Sequence, residues 1–309
     1  MKIAIIGAGS VGTLFGSILF QSGRNVTLIE KKPEIVEAIS RNGLKISRGT
    51  DEKVIPVPIT GNIEEVANPD LILFCVKSYD NVTAAHDCLK IVAPHTLVLT
   101  LQNGIGNYEV ISKIIGEERT IVGTTTFGST QYAPGCTKSS ATGDISIGEY
   151  SGGISDRVKK LAKDLTDGGF IIHTVENVNS LIWTKLIVNV AINAIAALCR
   201  ITNGQTYDLE PARIVQKEAV DEAVAVAKAL KIQVDYDSLY QHAIDVTVST
   251  SANKASMRQD VEACNPTEIL AINGAIVIEG AKLGIPTPVN NVLTNLVKAA
   301  ELGYAKTEV

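Results

Sequence analysis

"KIAIIGAGSVGTLFGSILFQSG", residues 2–23, opens the chain almost at once. Lys2 to Ile6 is a short β-branched strand, and Gly7, Gly9 and Gly12 follow it as G-x-G-x-x-G. A helix is predicted from about Val11 to Gln21, with Gly23 as its stop. "NVTLIEKK" (25–32) reads as a second strand that ends in an acid, Glu30, roughly 20 residues on, where the dinucleotide-binding fingerprint asks for one. Glycine-rich turns are common, but a turn set between strand and helix and answered by that acid is specific. The first glycine permits the turn, the second lets backbone approach a pyrophosphate, and the third packs helix on strand. Ser10, Val11 and Gly12 then offer phosphates the free N–H groups and positive end of a helix.

Working outward, further strands are predicted at Asp70–Lys77, Thr96–Gly104 and Thr120–Gly128. The first two carry polar residues at the C-terminal end, where open α/β sheets bind ligands. Lys77 there is either a cofactor ligand or a solvated loop lysine, and Asn103 with Gly104 offers amide contacts near the nicotinamide. "APGCTKSSATGDISIGEY" (133–150) reads as a hairpin that closes this domain, with Gly143 and Gly148 at its bends. From about Asn177 the strand-like runs stop. Amphipathic helices are predicted over 210–232, 266–284 and 290–306. The expectation is an α/β chain: an N-terminal Rossmann-type, doubly wound sheet over 1–176, a linker near 174–179, and an all-α C-terminal domain over 177–309.

Composition removes several classes. At 309 residues two domains are the default, and a net charge of −5 argues against a nucleic-acid partner. Met1 leads straight into a strand, so no secretion signal is expected, and no uninterrupted apolar run nears the roughly 20 residues of a membrane span. Cys75, Cys88, Cys136, Cys199 and Cys264 are scattered and form no CxxC pair; they read as buried small hydrophobes in a reducing cytoplasm. His86, His95, His173 and His242 lack ligand or catalytic spacing, and no metal is expected. The apolar helices of the second domain could be core or the face of a homodimer.

One helix carries chemistry. "WTKLIVNVAINAIAAL" (183–198) is apolar apart from Thr184, Lys185, Asn189 and Asn193. Positions four apart differ by about 40° on a helix, so Lys185, Asn189 and Asn193 form one polar stripe. A buried amide without a partner costs about 1–3 kcal/mol. The stripe therefore either bonds across to another helix, with Lys185 paired to an acid, or lines a substrate cleft with Lys185 as proton donor. At the other site Glu30 suits ribose hydroxyls and repels a 2′-phosphate, whereas Lys31 and Lys32 could bind that phosphate. The balance leans to NADH over NADPH.

These motifs converge on a family. "IGAGSVG" (6–12), "VKSYD" (76–80), "QNGIGN" (102–107), "WTKLIVNVAIN" (183–193), "ASMRQDV" (255–261), "TEILAINGAI" (267–276) and "GIPTPVN" (284–290) span nearly the whole chain. The chain resembles the ketopantoate reductases (2-dehydropantoate 2-reductases), which join a Rossmann domain to a helical one. The resemblance implies NAD(P)H-dependent reduction of ketopantoate, a small 2-oxo acid, to D-pantoate in pantothenate and coenzyme A synthesis. It implies that Lys185 is the general acid and that Glu268 bonds the substrate hydroxyl and orients Lys185. Asn189 and Asn193 would bind the substrate's polar groups, Ser256 its carboxylate with Asn253 nearby, and Asn103 both cofactor and substrate. Read from the residues alone, Ser256 also fits a helix cap, Asn253 a surface turn, and Glu268 a first-turn acid of the 266–284 helix. Two positions depart from the family pattern. Glu30-Lys31 stands where many members have an uncharged then a basic residue, and Asp80 replaces a frequent glutamine, so no cofactor contact is assigned to it. An acid at the Glu30 place is found in mandelate-type, NAD-dependent members of the same fold, which makes an NAD-dependent D-2-hydroxyacid dehydrogenase, acting on another 2-oxo acid in the reducing direction, the alternative.

Overall fold

The computed structural model describes residues 1–139 and 143–304. The chain divides into two compact units: Met1–Gln102 with Asn107–Val178, and Asn103–Gly106 with the residues from Asn179 on.

The first unit is built on strands β1 (Lys2–Ile6), β2 (Asn25–Ile29), β3 (Leu44–Arg48), β4 (Asp51–Ile55), β5 (Ile59–Thr60), β6 (Leu71–Phe74), β7 (Leu97–Thr100), β8 (Thr120–Thr125), β9 (Ser129–Ala133), β10 (Cys136–Ser139), β11 (Asp144–Gly148) and β12 (Ile171–Thr174). Its helices are α1 (Ser10–Gln21), α2 (Pro33–Asn42), α3 (Asn81–Cys88), α4 (Asn107–Ile115) and α5 (Asp156–Thr166). Among the described residues, eight strands form a sheet in the order β12-β11-β8-β7-β6-β1-β2-β5. Neighbours run parallel except β8 and β11. Strand order reverses between β1 and β6, which puts the ligand crevice of an open α/β sheet at their C-terminal ends. β6 is buried at every residue and β1 at all but Lys2, as strands covered on both faces must be.

A second sheet, β4-β3-β10-β9, lies against α1. The Thr13 and Thr137 hydroxyls bond at 2.7 Å to fix that packing. Here the structure corrects the sequence reading. The hairpin is β9–β10, turning at Gly135 (φ +73°), and β10 then pairs in parallel with β3. β11, expected to close the hairpin, instead joins β8 in the large sheet. Residues 140–142 of the expected hairpin lie outside the described residues.

The second unit contains α6 from its second residue on (Val178–Cys199), α7 (Asn203–Asp208), α8 (Glu210–Ala229), α9 (Leu239–Ser249), α10 (Ser256–Glu262), α11 (Asn273–Leu283) and α12 (Pro288–Gly303). By length and a mean hydropathy of 1.8, α6 could cross a membrane, but two thirds of it is buried within the protein, where Leu186, Ile187, Val190 and Ala194 form core. Glu222 on α8 accepts the N–H groups of Val289 (2.8 Å) and Asn290 (2.9 Å), satisfying the first turn of α12 from outside the helix. Residues 305 and 306 of the expected last helix lie outside the described residues.

Two further expectations fail. The helix predicted over 266–284 is broken: Ile269–Ala271 is one 3-10 turn, Ile272 (φ −111°, ψ −98°) leaves helical geometry, and α11 starts only at Asn273. Glu268 therefore precedes the 3-10 turn and is no first-turn acid of a long helix. The cysteines are not all buried either, because Cys199 and Cys264 fall at helix ends, where side chains meet solvent.

Candidate active site

At the end of β1 the chain turns sharply. Gly7 has φ +100°, and its N–H donates to the Ile29 carbonyl at 2.8 Å. A Cβ on Gly7 would press on the Cys75–Val76 peptide at 3.0 Å, and one on Gly12 would come 2.0 Å from the Gly7 carbonyl oxygen. Both glycines are needed for the fold. Gly9 differs: a Cβ there would meet nothing within 4 Å, and no side chain caps α1. The first bond of the helix runs from the Thr13 N–H to the Gly9 carbonyl, which leaves the N–H groups of Ser10, Val11 and Gly12 at the open end. Open space over bare backbone at a helix N-terminus fits a pyrophosphate.

The Glu30 carboxylate sits under this loop, accepting from the Ala8 N–H at 2.9 Å and the Lys32 N–H at 3.1 Å. Those bonds fix its position and leave lone pairs for ribose hydroxyls. Lys31 is turned to α3, bonding Asp87 at 2.7 Å and holding that carboxyl below its usual range. Burial pushes the Asp80 carboxyl up, while Lys31 and Lys32 pull it down and Glu30 adds to the rise. Asp80 thus lies in the field of all three strand-end residues. Sequence reasoning did not bring Asp80 and Asp87 to this place, nor Gln131, whose side-chain amide donates to the Ala8 carbonyl at 3.0 Å. Nothing in their spacing signals it, since each reaches the loop through tertiary pairing.

Lys77 stands half-buried in the chain leaving β6, one residue before a 3-10 turn at Ser78–Asp80. Beside it, Gln102 ties strand ends together: its amide donates to the Val76 carbonyl at 2.6 Å and to Asn81 at 2.7 Å, and Asn81 donates to Asn107 at 2.8 Å.

In the second unit, Lys185 projects from α6 with Asn189 and Asn193 one and two turns further on. Burial pulls the Lys185 pKa from its ordinary 10.5 down to about 8, against the Glu268 carboxylate, which pulls it up. The structure therefore brings Lys185 and Glu268 within electrostatic reach, and Glu268 is 7% exposed. Asn189 and Asn193 each hold a buried side-chain NH2 with no protein partner. These NH2 groups donate no hydrogen bond across to another helix, while Lys185 does lie in the field of an acid, Glu268. Asn103 belongs to this same unit. Next to it, the Ile105 N–H donates to the Ala271 carbonyl at 3.0 Å, and Gly104 (φ +84°) lies so close that a Cβ would be 2.2 Å from that oxygen. The segment bearing Asn103 is thus docked on the turn that follows Glu268. Ser256 is exposed at the first position of α10, and Asn253 is exposed in the loop before it. The Asn253 carbonyl accepts the Asn203 N–H at 3.0 Å, so its backbone holds the loop onto the start of α7.

A dinucleotide loop on a doubly wound sheet, and a lysine whose pKa burial has brought near neutrality in a helical unit, are the marks of a nicotinamide-dependent oxidoreductase. Comparison with known proteins makes the class specific. Residues 3–152 match the family Ketopantoate reductase PanE/ApbA, and residues 177–301 match its C-terminal domain. The chain belongs to the ketopantoate reductase family. It is 34% identical to the 2-dehydropantoate 2-reductase of Halobacterium salinarum, over 97% of this chain and 99% of that protein. To the Pyrococcus horikoshii protein of that name it is 36% identical, over 97% and 98%. Among solved structures, D-mandelate dehydrogenase with NADH and anilino(oxo)acetate has a TM-score of 0.92 at 30% identity, covering 99% of this chain and 100% of the other. A PanE/ApbA family ketopantoate reductase from Ralstonia eutropha JMP134 gives 0.91 at 30%, with the same coverage.

Proposed function

We propose that the protein is a 2-dehydropantoate 2-reductase that uses NADH in preference to NADPH. The observation that carries the reading is the α6 stripe: a lysine with its pKa near 8 beside two buried amides that lack protein partners. A polar ligand would complete those bonds. When bound at the glycine loop, the reduced nicotinamide supplies the hydride that the ketone carbon accepts. Lys185 donates a proton to the ketone oxygen, and before transfer its charge stabilises the developing alkoxide. Glu268 bonds the substrate hydroxyl and orients Lys185. Asn189 and Asn193 bind the substrate's polar groups, Ser256 takes its carboxylate with Asn253 nearby, and Asn103 touches cofactor and substrate. Lys77 joins the glycine loop in holding the cofactor. The product is D-pantoate, and a cytoplasmic place in pantothenate synthesis goes with this reading.

NADH is favoured because a 2′-phosphate at the end of β2 would meet Glu30 and Asp80, while Lys31 is engaged by Asp87. Glu30→Gln is expected to narrow the NADH preference, as read from kcat/KM with each cofactor; an unchanged ratio removes Glu30 as selector. A second reading is an NAD-dependent D-2-hydroxyacid dehydrogenase that reduces another 2-oxo acid, favoured by the match to D-mandelate dehydrogenase and by Glu30. Crossing 2-dehydropantoate and 2-oxo-2-phenylacetate with NADH and NADPH decides between them. Fastest oxidation is expected with 2-dehydropantoate and NADH, and faster turnover of the phenyl acid supports the second reading.

Asn193→Leu offers a further check. Removing a buried, unpartnered amide is expected to stabilise the fold by about 1 kcal/mol, while KM for the 2-oxo acid rises tenfold or more. A lower melting temperature with KM unchanged would mean that Asn193 serves the fold.

A further inference from the structure

Glu268 lies in a stretch without regular structure between α10 and the 3-10 turn at Ile269–Ala271. Such a stretch has no ladder to fix its backbone, yet a group that must act on Lys185 has to be held firmly. On its C-terminal side Glu268 is held by the turn itself, where the Ala271 N–H donates to its carbonyl at 3.0 Å. On its N-terminal side the restraint comes from 34 residues away. Glu301, in the last turn of α12, presents one carboxylate oxygen to the Thr267 N–H at 2.8 Å and to the Thr267 hydroxyl at 2.6 Å. The same hydroxyl oxygen accepts the Ile269 N–H at 3.2 Å. Lys298 donates to the other Glu301 oxygen.

Thr267 is 6% exposed and the Glu301 side chain 8%. A carboxylate buried to that degree is costly unless its oxygens are bonded. Burial alone would raise its pKa, and the bonds from Lys298 and Thr267 hold it below the usual range, so it is ionised. A neutral carbonyl could have satisfied one N–H. An ionised carboxylate taking two donors from a single residue is shorter-ranged and stiffer.

We infer that Glu301, acting through Thr267, is a positioning residue that holds Glu268 against Lys185. The inference rests on the proposed roles of Lys185 and Glu268. Both ends of the Glu268 backbone are fixed, one by the 3-10 turn and one by α12, so its side chain starts from a defined point. Among the described residues, Lys298 supplies the positive charge that acts on Glu301, and Glu301 in turn raises the Tyr304 pKa together with Cys264 and Asp260. The Glu268 carboxylate raises the Lys185 pKa against the effect of burial. Loosening the strap weakens that interaction, and the pKa falls.

The test compares Thr267→Val, Thr267→Ser and Glu301→Gln with the wild type. Thr267→Val is isosteric, Thr267→Ser keeps the hydroxyl, and Glu301→Gln keeps the shape, so at least one pair is expected to fold. The first readout is the Lys185 titration, followed by NMR of its side chain in the free protein. The Lys185 pKa is expected to fall in Thr267→Val and Glu301→Gln and to be restored in Thr267→Ser. The second is the pH dependence of kcat for 2-dehydropantoate reduction. Its alkaline limb should move to lower pH in the same two variants, with kcat about tenfold or more lower and KM less affected. Titration curves that superimpose on the wild type, even where melting temperatures drop, overturn the positioning role and leave only a structural one. Because the titration needs no substrate, absence of turnover in the wild type would count against the proposed function and not against the strap.

Discussion

Lys185→Met is expected to slow ketone reduction by roughly 10²–10⁴-fold, the range for losing a positioned general acid, while NADH still binds. The same substitution has a signature in stability. Folding takes the Lys185 pKa from 10.5 to about 8, so between those values the unfolded chain binds more protons than the folded one. Stability of the wild type relative to Lys185→Met should therefore be lowest below pH 8 and rise through pH 8 to 10.5, by at most about 3 kcal/mol across that window. Catalysis runs the other way, since reduction needs the protonated amine, and the rate should fall as pH rises through about 8. Urea unfolding of the two proteins at a series of pH values measures the first trend, and initial rates measure the second. A stability difference that is flat with pH would mean that Lys185 is not desolvated.

The second large effect separates two glycines three residues apart. Gly12→Ala places a Cβ 2.0 Å from the Gly7 carbonyl oxygen, so α1 must shift away from the end of β1. Overpacking of this kind costs about 1–3 kcal/mol or more, and both melting temperature and NADH affinity should fall. Gly9→Ala meets nothing in the protein and has φ −73°, so stability should change by no more than about 1 kcal/mol. With the pyrophosphate at the proposed place, that Cβ would stand in its way, and NADH affinity is expected to drop about 100-fold. Calorimetry of NADH binding beside thermal melts checks both. If Gly9→Ala binds NADH as the wild type does, the pyrophosphate does not approach at Gly9.

What could be read from the chain depended on how local its cause was. The glycine loop was legible because strand, turn and helix follow within about twenty residues and each demands its own residue type. The Lys185–Asn189–Asn193 stripe was legible because helical period alone puts the three on one line, although only the structure shows the two amides without protein partners. Glu268 was placed with Lys185 by family resemblance, not by spacing, and its local geometry was misread. "PTEILAINGAIVIEGAKLG" has the period of a single helix, but the break at Ile272 depends on tertiary restraints that periodicity does not express. The small sheet was missed for a related reason. β4 is exposed at four of its five residues, so no alternation marks it as a strand. Asp80, Asp87, Gln131 and Glu301 reach their partners over long stretches of sequence, where one sequence carries no signal.

Whether Lys185 supplies the proton in 2-dehydropantoate reduction is decided by single-turnover oxidation of bound NADH in Lys185→Ala. NADH is expected to bind with wild-type affinity and then to be oxidised at least 100-fold more slowly on addition of 2-dehydropantoate. Oxidation at the wild-type rate, with the cofactor bound equally well, would contradict it.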